Sequence, residues 1–209
     1  ISAIAIDGES NIYVADSGNS AIRKIDQDGN VTTLGVANAR KVTSLELEAR
    51  KAFKNISTLA VGRDGRVYYM GATGRVWILT RDGATQFIDW NSHAKFKNHI
   101  KDFSGDGMTV DPRGNIYVLD WHNGLVLRIT PRGDLTTIAA TARTGLVDAA
   151  GQLARFTEIR NITADIHGNL YASDDNCIRK ITPDGSVITL AGGATRGHRD
   201  GKGKLALFE

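Results

Sequence analysis

Four times along this chain the same phrase returns. "NIYVADSGNSAIRKIDQDGNVTTL" (residues 11–34) is restated as "RVYYMGATGRVWILTRDGATQFI" (66–88), as "NIYVLDWHNGLVLRITPRGDLTTIA" (115–139) and as "NLYASDDNCIRKITPDGSVITL" (169–190). Tyrosine keeps one register throughout, at Tyr13, Tyr68, Tyr117 and Tyr171, at intervals of 55, 49 and 54 residues. A repeat of this period makes each copy one supersecondary unit, and stacking against its neighbours buries the face it cannot bury alone.

Within a copy, four short apolar runs alternate with turn residues. In the first copy the runs are "SAIAID", "NIYVAD", "AIRKI" and "VTTLG". Gly29, Gly83, Gly133 and Gly185 recur between the third and fourth runs, where a tight hairpin calls for positive φ. The second run is apolar on both faces, Ile12 and Val14 on one and Tyr13 and Ala15 on the other. A sheet wetted on one side would alternate apolar with polar, so this one is expected to lie between two others. Four-stranded antiparallel sheets at a fixed period describe a β-propeller. The units fall at about 1–35, 56–88, 107–140 and 162–191, in one domain spanning 1–209. The tyrosines read as core residues.

The phrase "AIAIDGESNIYVADSGNSAIRKIDQDGNVTTL" resembles the NHL repeat, with its Gly-Asn-Ile/Leu-Tyr-Val-Ala-Asp core and following Ile-Arg-Lys-Ile. The second unit departs from it. Gly71 replaces the aspartate of Asp16, Asp120 and Asp174, and Trp77 stands where Arg23 and Arg179 stand. "DAAGQLARFTEI" (148–159) and "DGKGKLALFE" (200–209) resemble the links that join bacterial-type NHL blades. The resemblance covers almost the whole chain. It implies four NHL-type blades, closing as a four-bladed ring or forming part of a larger propeller, which is typically six-bladed. The first residue is Ile1, and Phe208 near the end matches Phe156 before the fourth unit, so a chain cut at a repeat boundary is expected. An open ring implies self-association. The resemblance also leans towards an extracellular or periplasmic setting.

With 41% hydrophobic and 23% charged residues the composition is that of a folded globular protein. No window holds the roughly 20 apolar residues of a membrane helix. The single cysteine, Cys177, excludes an internal disulfide and reads as a small apolar residue opening a strand. Net charge is only +3, but it is unevenly placed. The four connectors, roughly 36–55, 89–107, 141–161 and 192–209, hold 15 Lys and Arg against 9 Asp and Glu. The loop face is therefore the basic one. Arg40, Lys41, Arg143, Arg155, Arg196 and Arg199 are the candidates there for contact with a protein or another anionic partner, RNA included.

One loop breaks the pattern of plain turns. "DWHNG" (120–124) puts Trp121 and His122 where other units have "DSGNS" and "DDNC". An aromatic and an imidazole without structural need suggest contact residues. Asp16, Asp120 and Asp174 read as turn stabilisers, each accepting from nearby N–H groups. Arg23 and Arg179 read as partners in a repeated salt bridge. No HExxH, GxSxG or phosphate-loop motif is present. These residues favour a non-catalytic scaffold without a cofactor, whose blade-connecting loops bind a partner. The alternative implied by the resemblance is a propeller enzyme of the metal-dependent lyase or lactonase kind. It would hold calcium or zinc near the axis through His93, His99, His122 or His198.

Overall fold

Each tyrosine-bearing phrase folds as an antiparallel sheet with its strands in chain order. The computed structural model describes residues 1–36, 51, 53, 55–71, 75–80, 83–88, 107–140 and 145–209. Two compact units divide the chain, Ile1–Lys101 and Asp102–Glu209. The first carries β1 (Ala3–Ile6), β2 (Ile12–Asp16), β3 (Ala21–Ile25) and β4 (Val31–Val36), then β5 (Ile56–Val61), β6 (Val67–Gly71), β7 (Val76–Thr80) and β8 (Gly83–Ile88). The second carries β9 (Met108–Val110), β10 (Ile116–Asp120), β11 (Leu125–Ile129) and β12 (Leu135–Ala140). It continues with β13 (Ala149–Ala150), β14 (Ile159–Ala164), β15 (Leu170–Asp174), β16 (Cys177–Ile181) and β17 (Ser186–Gly192). The fourth sheet is wider than the repeat implies, because β13 comes from the connector and pairs with the edge of β17. Among the described residues no helix is long and apolar enough to cross a membrane.

The tyrosine register has a cause beyond apolar burial. Asp7 at the first turn accepts from the backbone N–H groups of Glu9 and Asn11, from the Asn11 side-chain amide and from the Tyr13 hydroxyl at 3.0 Å. Asp111 does the same with Arg113, Asn115 and Tyr117, and Asp165 with His167, Asn169 and Tyr171. The tyrosine can thus bury its ring and keep its hydroxyl paired. The Asn169 amide, outweighing desolvation, holds the Asp165 carboxyl down at about 2. Burial first, then the Asp7 carboxylate, pushes the Tyr13 phenol up to about 12. In this turn Gly114 and Gly168 take positive φ, and Ser10 does so in the first sheet.

At the third hairpin, between the third and fourth strands, Gly29, Gly133 and Gly185 also have positive φ, near 83°, 88° and 89°, while Gly83 opens β8. All four sheets shift register between their third and fourth strands at one repeat position: Ile22/Arg23, Val76/Trp77, Val126/Leu127 and Ile178/Arg179. A bulge that recurs so regularly re-aims a side chain. Here it aims the position that differs between sheets.

Each unit has its own core. In the first, Tyr13, Ala15 and Ile22 of sheet β1–β4 meet Phe53, Ile56, Leu59, Tyr69 and Trp77 of the next sheet and its connector. In the second, Tyr117, Leu119 and Val126 meet Phe156, Ile159, Ile162 and Leu170. Each large side chain so buried contributes roughly 1.5–3 kcal/mol of transfer free energy. Strands β6 and β10 are buried along their whole length, as an apolar run on both faces requires. Strand β15 alternates buried with half-buried residues, so one face of its sheet is open.

Candidate functional site

Strand β10 ends in Asp120, whose carboxylate is fully buried. It accepts from the Asn123 backbone N–H at 3.3 Å and from the Asn123 amide at 2.6 Å, closing the turn over residues 120–123. That closure pushes Trp121 and His122 outwards. Their rings meet edge to face with centroids 5.8 Å apart, Trp121 half-buried and His122 exposed. From the start of β14, Arg160 lays its guanidinium over the Trp121 ring at 4.9 Å. Glu158 pairs with Arg160 through both Nε and Nη2. The indole N–H of Trp121 is buried with no hydrogen-bond partner among the described residues. Trp121, His122, Glu158 and Arg160 therefore form one cluster. It offers a flat apolar face, a cation above it, and an exposed imidazole able to give or take a proton.

The other sequence candidates lie apart from this cluster. Arg155 is half-buried in the connector, where its backbone pairs with Val147 and its carbonyl accepts from Arg179. Arg196 is exposed and bridges to Asp175 at 3.1 Å. Arg199 is exposed and donates to the Leu205 carbonyl at 3.0 Å. Arg40, Lys41, Arg143, His93 and His99 lie outside the described residues. Of the candidates among the described residues, only Trp121 and His122 stand together. Glu158 and Arg160 were missed, since a charged pair beside an inner strand looks in sequence like any solvated connector. A cleft of about 660 Å³ runs between the connector around Asp148 and the segment holding Arg199, Lys204 and Leu207. Its carboxylate, Asp148, is already taken by Arg179, Thr189 and Lys204.

The aspartates that end the second strands are held in the same way. Asp16 takes the Asn19 amide at 2.9 Å and Arg23 at 3.5 Å. Asp174 takes the backbone N–H groups of Thr157 and Glu158 and the Arg179 guanidinium at 2.7 Å. The turn and salt-bridge roles read from the sequence are thus seen. Cys177 is buried at the start of β16, where desolvation pushes its thiol up to about 11.

Residues 48–147 match the family described as the SMP-30/Gluconolactonase/LRE-like region. No curated protein matches the chain. Among solved structures, an auxiliary nutrient binding protein from Bacteroides ovatus superposes with a TM-score of 0.71 at 17% identity, over 99% of this chain and 51% of that one. A gluconolactonase from Xanthomonas campestris gives 0.58 at 16%, over 89% and 60%. Regucalcin, a calcium-binding protein from Agrobacterium tumefaciens, gives 0.55 at 14%, over 88% and 57%. The chain spans about half the length of the structures it matches. At such identities the likeness shows the fold alone: four-stranded antiparallel sheets of the kind that build β-propellers. The NHL pattern is narrower than this, since the family match and the similar structures point to related propellers.

Two expectations are corrected by these findings. The expectation of a non-catalytic scaffold finds no support, because the matched family and one similar structure are named for a gluconolactonase. The expectation of no cofactor likewise loses its footing, because one of the similar structures is that of a calcium-binding protein. The loop charges that suggested a scaffold fit an enzyme's loop face equally well, so charge could not separate the two. The extracellular or periplasmic setting finds no support in these names. The described residues of this chain do not themselves fit a metal: they bring no three His, Cys, Asp or Glu side chains together. The strand-end carboxylates that would be the obvious oxygen donors are committed to amide, backbone and guanidinium partners.

Proposed function

We propose that this chain serves an enzyme-type β-propeller that opens a lactone ring, its four repeats being NHL-type blades. The observation that carries this reading is the family match over residues 48–147, which includes the one loop that breaks the repeat, Trp121 and His122. The cluster suits such a substrate. Trp121 offers an aromatic wall beside the ester ring, and Arg160, stacked on the indole and held by Glu158, places positive charge where the carbonyl oxygen becomes an oxyanion. His122, exposed beside them, exchanges the proton between water and the leaving alkoxide. This division of labour uses only side chains of the second unit.

Sugar lactones offered as a panel, with acid release followed by titration at constant pH, test the reading. Saturable ring opening is expected, with Arg160→Ala and His122→Ala each lowering kcat/KM by roughly 100-fold at unchanged melting temperature. No opening above the uncatalysed rate, with or without added calcium, overturns it. Elemental analysis after dialysis against a mild chelator reports separately on retained calcium.

A further inference from the structure

Where β17 ends, the chain turns out of its sheet at Gly192 and runs on through Gly193, Ala194 and Thr195. Gly192 is required at that turn. Its φ is 76°, and a Cβ there would collide with the Asn176 carbonyl oxygen. Gly193 is the reverse case, since a Cβ on it would meet nothing within 4 Å. These residues line the cleft of about 660 Å³ beside the Asp148 connector, and both of its walls lie in the second unit. The backbone N–H groups of Gly193, Ala194 and Thr195 take no hydrogen-bond partner among the described residues. Successive free N–H groups at a bend carry positive partial charge and favour an anion.

The same lining holds a prepared cation. Arg199 pairs through its backbone with Leu207 in both directions, and its Nε donates to the Leu205 carbonyl at 3.0 Å. The guanidinium is thereby oriented, while its two terminal amino groups take no partner among the described residues. Lys204 offsets the Asp148 carboxylate at 3.3 Å, which leaves Arg199 as the surplus cation of the lining. The exposed Thr195 hydroxyl is also free among the described residues.

The rest of the cleft does not suit a bare anion. Leu146, Val147 and Leu207 give it an apolar side. Thr189 and Lys204, turned to Asp148 at 2.7 and 3.3 Å, keep a hydroxyl acceptor and further ammonium hydrogens for a ligand. The volume is also that of a small-molecule pocket, about 300–1,000 Å³, and far exceeds a phosphate ion. An apolar side, groups that bind hydroxyls and one spare cation match a sugar ring that carries a single carboxylate.

We propose that this cleft binds an acidic sugar. Its carboxylate sits against the Arg199 guanidinium and the N–H groups of residues 193–195, as a charge-assisted fork. Its hydroxyls meet Thr189, Thr195 and Lys204, and its C–H face lies on Leu146, Val147 and Leu207. None of these residues belongs to the Trp121 cluster, so the site is read by binding alone and stands or falls apart from ring opening.

Calorimetric titration of the whole chain with glucuronate tests this, with glucose, acetate and inorganic phosphate as separate probes. Saturable binding of glucuronate is expected. Glucose and acetate should each bind roughly tenfold more weakly or worse, because each lacks half of the recognised chemistry. At unchanged melting temperature, Arg199→Gln should weaken glucuronate by roughly tenfold or more, and Thr195→Val by roughly threefold. Thr195 is exposed with no bond to lose, so its substitution reads the site even where Arg199→Gln disturbs the fold. No saturable binding of glucuronate overturns the proposal. So does phosphate, acetate or glucose that binds as tightly, or glucuronate affinity that neither variant lowers.

Discussion

The two units solve one packing problem with opposite chemistry. In both, a connector phenylalanine drops between two sheets and a bulged third-strand residue reaches over to meet it. In the second unit that residue is Arg179, fully buried with Asp174, above Phe156. In the first it is Trp77, fully buried beside Phe53 and Tyr69, and the position of Asp174 is Gly71. The carboxylate and the cation are absent together. The joint requires a large side chain at the bulge, and a charged one brings its counter-ion with it, because an unpaired charge cannot be left inside.

The largest effect comes from breaking the charged joint on one side. Arg179→Ala removes the partner of a buried Asp174 and three further acceptors at once, and a loss of about 3–5 kcal/mol is expected in urea unfolding. Trp77→Arg should cost about as much in the first unit, since it buries a guanidinium facing Gly71. Adding Gly71→Asp should return part of that loss. If Trp77→Arg alone is as stable as the parent, the joint is wet and the contrast between the units dissolves.

Grafting the apolar joint onto the second unit sharpens the comparison. The double variant Asp174→Gly, Arg179→Trp should lose less than the sum of its single changes, with a coupling of about 1–3 kcal/mol in the thermodynamic cycle. It will not be neutral. Asp174 also accepts from the Thr157 and Glu158 N–H groups, which the graft leaves without a partner. Additive singles would mean that the pair contributes nothing as a pair.

Acid should weaken the fold through carboxylates that the native state keeps ionised. Hydrogen bonds from Asn169 and neighbouring groups lower Asp165 to about 2. In Asp7 and Asp148 burial raises the pKa, but hydrogen bonds from Asn11 and Thr189 outweigh it and the net shift is downward. A lowered folded pKa gives stability that is present above the unfolded value near 4 and lost as pH falls towards the folded one. Urea midpoints should therefore drop between about pH 4 and pH 2, and Asp165→Asn should flatten that drop.

Much of this architecture is legible in the sequence because it is periodic. Four phrases, each with two turn glycines or their substitute, leave few alternatives to stacked antiparallel sheets. The Arg23 and Arg179 ion pairs could be read from matching positions. Strand β13 could not, since "DAAG" is too short to show alternation and pairs only because the connector passes along the edge of β17. Glu158 and Arg160 were equally hidden: the stacking of Arg160 on Trp121 joins residues of adjacent sheets, and no spacing announces it. The enzyme-type reading entered only as the alternative that the resemblance implies. Repeats constrain a scaffold strongly, while a site occupies the few positions where a repeat is broken, and here those were read as contacts.

The smallest effect separates two buried tyrosines one residue apart in repeat register. Tyr117 is buried with its hydroxyl donating to Asp111 at 3.1 Å. Tyr69 is fully buried with a hydroxyl that has no partner among the described residues. Removing a hydroxyl that donates to a carboxylate leaves that acceptor short, so Tyr117→Phe should cost about 1–2 kcal/mol. Removing a hydroxyl that was never satisfied costs nothing of the kind, and Tyr69→Phe should be neutral within about 0.5 kcal/mol or slightly stabilising. Alkali gives an independent reading. Burial, then the Asp111 charge, pushes the Tyr117 phenol up to about 12. A raised folded pKa gives stability that is complete below the unfolded value near 10 and lost as pH rises towards about 12. Tyr117→Phe should remove its share of that alkaline loss while lowering stability at neutral pH. Equal costs for the two phenylalanine variants would show that ring burial alone keeps tyrosine in register, and that the turn aspartate is incidental to it.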